Sequence, residues 1–395
     1  MPSRSSSPFS RRSFLQLSAA AATFRIVTEP MLAAAARVRQ PFTKDGVMID
    51  SNENPLGPSQ SARDAISAII PLGGRYLDNL TEDLAHNFAQ LEGLNPDCVQ
   101  IFPGSSPALR FTVVAFTSPQ KSYVTADPGY EAGMMAAAAT EARVVKVPLT
   151  KTYAHDVKAM LAAAPDAGLF YMCNPNNPTG TLTPHTDLEY LVANKPKGSV
   201  VMVDEAYIHF CDAPSTLDFV KAGKDVVVLR TFSKTYGMAG LRCGFAIARP
   251  ELLDQITERS GWNFMPVTAV AAASASLKDP GLIPERRRIN ATVRQETFQW
   301  LDRNGYSYIP SESNCFMLDT KRPGKQVIDA MAQQKVFIGR IWPIMPTCVR
   351  ITVGTAEEMA QFQSALQKVM LGTTAFSLPA ARLSRNPRRA AVLPT

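Results

Sequence analysis

Histidine is scarce in this 395-residue chain, and the four present, His86, His155, His185 and His209, lie far apart. That scatter supplies neither a zinc ligand set nor a histidine-based triad, so no metal is expected. Paired cysteine is missing as well. The six cysteines, at 98, 173, 211, 243, 315 and 348, show no Cys-x-x-Cys spacing and read as free thiols in packing positions. No segment approaches the roughly 18 uninterrupted apolar residues of a spanning helix, so no membrane span is expected. There is no internal repeat. The net charge of +7 sits at the two ends: Arg4, Arg11, Arg12 and Arg25 against Glu29, and then Arg382, Arg385, Arg388 and Arg389. The body between them is neutral and lacks the basic footprint of a nucleic-acid binder, so no nucleic-acid partner is expected. What is present is bulk: 46% hydrophobic residues over this length build a large core, and favour two domains over one.

Residues 1–36 read as an address. Ser10-Arg11-Arg12-Ser13-Phe14-Leu15-Gln16 resembles a twin-arginine export motif, a moderately apolar stretch follows at 17–27, and Met31-Leu32-Ala33-Ala34-Ala35-Ala36 suits signal peptidase. A twin-arginine-type signal segment and export to the periplasm are therefore expected. The alternative is a serine- and arginine-rich tail on a cytoplasmic protein, and Arg25 inside the apolar stretch speaks for it.

In the body, short apolar runs alternate with helical pattern. Residues 99–102, 123–125, 144–147, 169–172, 200–203, 226–229 and 245–248 read as buried strands, with helices at 132–139 and 156–164 among the intervals. The region is an open α/β domain with a mostly parallel seven-stranded sheet, whose ligand chemistry belongs at strand ends. After it the texture changes to a charged helix at 285–303 stopped by Asn304-Gly305, strands at 307–309 and 315–318, and a capping box, Thr355-Ala356-Glu357-Glu358. Met359, Phe362, Leu366 and Val369 make one apolar face of the helix it opens. The expected domains are an N-terminal segment, 37–74, joining the small domain; a large domain, 75–280; a small α+β domain, 281–372; and a disordered basic tail, 373–395.

Several polar groups fall just after these strands. Gly104-Ser105-Ser106-Pro107 follows one strand and opens a helix, with Ser106 placed to cap it and Pro107 in the first turn; free amides there suit a phosphate. Asn177, within Asn174-Pro175-Asn176-Asn177-Pro178-Thr179-Gly180, puts a side-chain amide at a carboxyl strand end, although such residues also make ordinary turns. Asp204 ends another apolar strand, with Tyr207 three residues on; a buried carboxylate there needs a cation such as a pyridinium, unless it merely caps a helix. Lys234, in Thr231-Phe232-Ser233-Lys234, also follows a strand directly, where burial lowers proton affinity and favours condensation with an aldehyde. Arg242 lies eight residues on, in reach of a phosphate beside the hydroxyls of Thr231 and Ser233. Singly, each of Ser233, Lys234 and Arg242 is more often a solvated surface residue; the order and spacing of the whole set suit pyridoxal phosphate.

In that order the residues resemble the class I/II, fold-type I pyridoxal phosphate-dependent aminotransferases, in wording nearest the histidinol-phosphate aminotransferase branch. The likeness runs from about Asn52 to Gly354 and includes the opening motif Ser51-Asn52-Glu53-Asn54-Pro55-Leu56-Gly57-Pro58. It implies Lys234, Asp204 and Tyr207 as the catalytic set, with Ser105, Ser106, Tyr130, Asn177, Thr231, Ser233 and Arg242 also at the cofactor. Tyr130 would stack on the pyridine ring; on physical grounds alone it is a core aromatic. Tyr76, in Arg75-Tyr76-Leu77-Asp78, would reach a neighbouring subunit's cofactor phosphate, which implies a homodimer. Arg350, in Val349-Arg350-Ile351-Thr352-Val353-Gly354, would bind the substrate's acidic group with Asn177 beside it, and Arg340 matches a second arginine used by phosphate-accepting members.

The implied reaction moves an amino group between an amino acid or histidinol-phosphate-like amine and a 2-oxo acid such as 2-oxoglutarate. Two positions depart from the branch: Ser106-Pro107 stands where Asp or Glu is frequent, and Leu56 where an aromatic is common. The second, with an export segment on a biosynthetic enzyme, counts against histidinol phosphate itself. A decarboxylase or oxidase could use the same ring site, a non-catalytic pyridoxal phosphate-binding protein could keep it for binding, and an inert α/β scaffold would have no use for it.

Overall fold

The computed structural model describes residues 43–261 and 264–372. The expectations for the 1–36 signal segment and the 373–395 tail lie outside the described residues.

A short strand, β1 (Val47–Ile49), precedes the main sheet, whose members are β2 (Val99–Phe102), β3 (Ser122–Asp127), β4 (Val144–Pro148), β5 (Ala167–Cys173), β6 (Val200–Asp204), β7 (Val226–Thr231) and β8 (Gly244–Ile247). All seven runs expected from apolar pattern are strands of one sheet, in the order β2-β8-β7-β6-β5-β3-β4. Only β8 runs antiparallel to its neighbours. Every residue of β5, β6 and β7 is buried, as expected of strands covered on both faces. Alternation sorts their side chains: Phe170, Met172, Val201, Val203 and Val228 enter one apolar cluster, and Leu169, Tyr171, Met202, Val227 and Leu229 enter the other.

Register matters most at the carboxyl ends. Cys173 of β5 pairs with Asp204 of β6, which pairs with Leu229 of β7. The loops that leave these strands therefore begin side by side, bringing Asn177, Asp204 and Lys234 to one end of the sheet.

The C-terminal region builds a third apolar cluster around Phe316, Leu318, Ile351 and Phe362. Its strands β9 (Ser307–Ile309), β10 (Cys315–Asp319) and β12 (Cys348–Thr352) form an antiparallel sheet, while β11 (Val336–Ile338) pairs in parallel with β1. The helix Ala356–Leu371 starts on the expected capping box, with Thr355 and Glu358 each serving the other's backbone. The charged helix extends over Leu282–Arg303. One local expectation is corrected. The helix Ser105–Phe116 is capped by Gly104, not Ser106, and no side chain caps it. Gly104 sits at φ +93°, in the left-handed region, and a Cβ there would collide with the Arg242 guanidinium. Among the described residues no helix is long and apolar enough to cross a membrane.

Candidate active site

Lys234 lies three residues beyond the end of β7 and points its amine at the N-terminal segment. Nζ donates to the carbonyl of Asn52 at 2.9 Å and that of Ser51 at 3.4 Å, and sits 5.7 Å from the centre of the Tyr207 ring. Burial, aided by the Arg350 charge, pushes the ammonium down to about 8. A lysine so placed has about a tenth of its amine neutral at pH 7, far more than an exposed one.

Asn52 holds that carbonyl in position. It is 1% exposed and left-handed at φ 53°. Its backbone amide donates to Thr352 Oγ1 at 2.9 Å, and its Nδ2 donates to the Tyr207 hydroxyl at 3.0 Å and to Cys315 Sγ at 3.1 Å. Asn314 Nδ2 donates to the same Asn52 carbonyl, at 3.1 Å. Burial pushes the Tyr207 phenol well up, so it stays protonated at neutral pH.

Asp204 is 5% exposed. Its carboxylate accepts from the Tyr171 hydroxyl at 2.9 Å and from the Ala206 amide at 3.1 Å. Both donors are neutral, and burial wins over them: the carboxyl is raised to about 6. A cation set beside it would bring it back down.

A cluster of donors lies at the end of β7 and the start of the Ser105–Phe116 helix. The Ser233 amide donates to Thr231 Oγ1 at 3.1 Å, Thr231 Oγ1 donates to Ser233 Oγ at 3.0 Å, and Arg242 Nη1 donates to Ser233 Oγ at 3.2 Å. The Ser105 amide lies 2.6 Å from where a Cβ on Gly244 would stand, so glycine is needed for β8 to pass this turn. The first-turn amides of Ser105 and Ser106, without a capping side chain, the helix dipole and the guanidinium together suit a phosphate.

The other end of the site is built on Arg350 in β12, 3% exposed. Nη1 donates to Asn177 Oδ1 at 2.9 Å and Nη2 to the Asp50 carbonyl at 2.6 Å. By taking the amide oxygen, Arg350 turns the Asn177 amide nitrogen away from itself. The guanidinium centre is 5.8 Å from the ring centre of Trp342, which is 2% exposed and donates from Nε1 to the Gly129 carbonyl at 3.0 Å. Arg340 stacks on the same ring at 4.4 Å and is bound by the Glu131 carboxylate. Tyr130, next to Glu131, is half-buried and packs on the apolar cluster that contains Tyr207.

The structure thus joins Lys234 and Tyr207 through Asn52, Asn177 to Arg350, and Thr231 and Ser233 to Arg242. Tyr76 stays at the surface, 71% exposed, its ring 4.8 Å from that of Phe264. Four further residues contribute. Asn52 was visible only as a letter of a motif, Tyr171 as one more apolar strand residue, and Trp342 and Glu131 carried no signal. The donor set fits pyridoxal phosphate: a lysine of lowered basicity, a desolvated carboxylate lacking a cation, and an uncapped helix start beside an arginine. No cluster of three or more His, Cys, Asp or Glu side chains placed to hold a metal occurs among the described residues.

Comparison with known proteins agrees with this geometry. The family model described as aminotransferase class I and II matches residues 44–366. A histidinol-phosphate aminotransferase of Moorella thermoacetica is 33% identical over 340 residues, 84% of this chain and 87% of its own. One from Symbiobacterium thermophilum is 34% identical over 330 residues, 82% of this chain and 91% of its own. The crystal structure of histidinol-phosphate aminotransferase from Sinorhizobium meliloti in complex with pyridoxal-5'-phosphate superposes with a TM-score of 0.76 at 27% identity, covering 83% of this chain and 91% of that one.

Proposed function

The chain belongs to the aminotransferase class I and II family and is a pyridoxal phosphate-dependent aminotransferase of fold type I; from that premise we propose how its residues divide the work. Membership favours amino transfer over decarboxylation, oxidation or mere binding. When bound, the cofactor supplies an aldehyde carbon to take up an amine and a pyridinium ring to withdraw its electrons.

The phosphate end would be held by the Ser105 and Ser106 amides, the Thr231 and Ser233 hydroxyls and Arg242. Asp204 would accept a hydrogen bond from a protonated ring nitrogen, which would supply the cation that its own burial calls for. Tyr207 and the Asn177 amide nitrogen would donate to the ring's phenolic oxygen, and Tyr130 would cover the ring. Lys234 would hold the aldehyde carbon of the cofactor, and with that amine free and neutral its Nζ would take the proton from the α-carbon of the substrate amine. Arg350 fixes the acidic group of the amine, and then that of the 2-oxo acid, so that both half-reactions present the same bond to Lys234. Arg340 lies beside it.

The observation that carries this reading is the convergence, at the carboxyl ends of β5, β6 and β7, of Lys234 on Asn52, Asp204 among neutral donors and Arg350 on Asn177. We further infer a homodimer in which Tyr76 reaches the neighbouring phosphate, supported by its exposure, and export by the twin-arginine route, supported by Arg11-Arg12. The test is a donor screen with 2-oxoglutarate on the purified protein beside K234A. Amino transfer and a visible absorption band, both lost in K234A, are expected; a band and turnover that survive the substitution would overturn the assignment.

A further inference from the structure

Two guanidiniums share the indole of Trp342. Arg340 lies 4.4 Å and Arg350 5.8 Å from its ring centre. Their backbones are tied too, the Arg350 amide donating to the Arg340 carbonyl at 3.0 Å and the Gly339 amide to the Arg350 carbonyl at 3.1 Å. Trp342 is pinned to the Gly129 carbonyl, and two residues beyond Gly129 the Glu131 carboxylate binds Arg340. The Arg340 side chain is 12% exposed and that of Glu131 35%, so the guanidinium end of the pair is sheltered from water, and the two charges cancel at short range. The consequence is electrostatic. Two cations side by side would make a doubly positive cradle suited to a phosphate monoester dianion, but with Glu131 in place the cradle carries one net positive charge, that of Arg350.

We propose that Glu131 determines substrate specificity, closing Arg340 to the substrate so that the site selects a carboxylate monoanion over a phosphate dianion as the head group of its amine. The inference deepens the aminotransferase reading and rests on it. The enzyme is thereby an amino-acid aminotransferase, whereas its relatives are named for a phosphorylated amino alcohol. Recognition of a carboxylate needs one planar fork, which Arg350 provides with Asn177 beside it. A phosphate dianion must displace Glu131 from Arg340 or leave half its charge unmatched.

The test is calorimetric titration of the cofactor-loaded full chain with two unreactive probes, propionate and methyl phosphate, at a pH where the latter is a dianion. Wild type is expected to bind methyl phosphate no more tightly than propionate. E131Q, which keeps the shape and removes the charge, should tighten methyl phosphate about tenfold or more and propionate much less; the double variant with R340A should lose that gain. The cofactor absorption band reports that each variant is folded. A wild type that already prefers methyl phosphate tenfold, or an E131Q that moves both probes together or neither, would overturn the proposal. The probes do not react, so these outcomes stand apart from the donor screen, whose failure would instead strike the aminotransferase reading.

Discussion

The Tyr171 hydroxyl donates to Asp204 Oδ2 at 2.9 Å from within the sheet, two residue pairs away from the strand end that carries the carboxylate. Tyr171 is 1% exposed and its phenol is held well above its usual range by burial and by the Asp204 charge, so it acts purely as a donor. That hydrogen bond lowers the Asp204 pKa against the larger opposing effect of burial. In Y171F the carboxyl should titrate higher still. Pyridoxal phosphate affinity of the cofactor-free protein, followed by fluorescence between pH 5 and 8.5, should then fall away at a higher pH than in wild type. Superimposable profiles would mean that Tyr171 only fills space.

Asp204 itself should be a liability without cofactor. Its carboxyl is raised from 3.8 to about 6 by burial, so its stabilising contribution is full below about pH 4 and lost as pH rises through 6. At pH 8 the ionised group costs about 3 kcal/mol. D204N should therefore melt higher than wild type at pH 8 in the cofactor-free form, with no gain at pH 4, while the loaded enzyme loses roughly two orders of magnitude in kcat. Equal melting temperatures at pH 8 would contradict this sign.

At Gly104 the backbone is left-handed and the Arg242 guanidinium passes where a side chain would begin. G104A must push Arg242 off Ser233 and strain the turn by about 1–2 kcal/mol. Cofactor affinity should weaken about tenfold or more at nearly unchanged secondary structure. Equilibrium titration of the cofactor-free protein measures it.

Asn52 joins three elements that are distant in sequence, through Thr352, Tyr207 and Cys315. N52A leaves the buried Tyr207 hydroxyl without its donor and places an alanine in the left-handed region, and should cost about 2–4 kcal/mol. N52G removes the same hydrogen bonds but tolerates φ 53°, so it should lose less in denaturant midpoint. Identical midpoints would show that the backbone carries no strain.

Much of the fold was legible in advance. The seven apolar runs of the main sheet were readable because strands buried on both faces keep few polar letters, and the capping box at Thr355 was readable because both partners lie within four residues. Strand order, and the antiparallel course of β8, were not readable, since pairing depends on which buried surfaces fit together. The cap of the Ser105–Phe116 helix was misplaced for a related reason. Gly104 was chosen by Arg242, more than a hundred residues away, and not by local capping preference.

The same division runs through the site. Residue type and chain position establish which chemical groups are available and that they follow strands: an amine at 234, a carboxylate at 204, an amide at 177 and a guanidinium at 350. Spacing along the chain carries that information because a strand end is a local event. What each group is worth comes from the folded arrangement: the lowered basicity of Lys234, the raised acid of Asp204 and the neutralised charge of Arg340 arise from burial and from neighbours such as Arg350 and Glu131. Desolvation and Coulomb interaction depend on distance in space, and folding alone sets those distances.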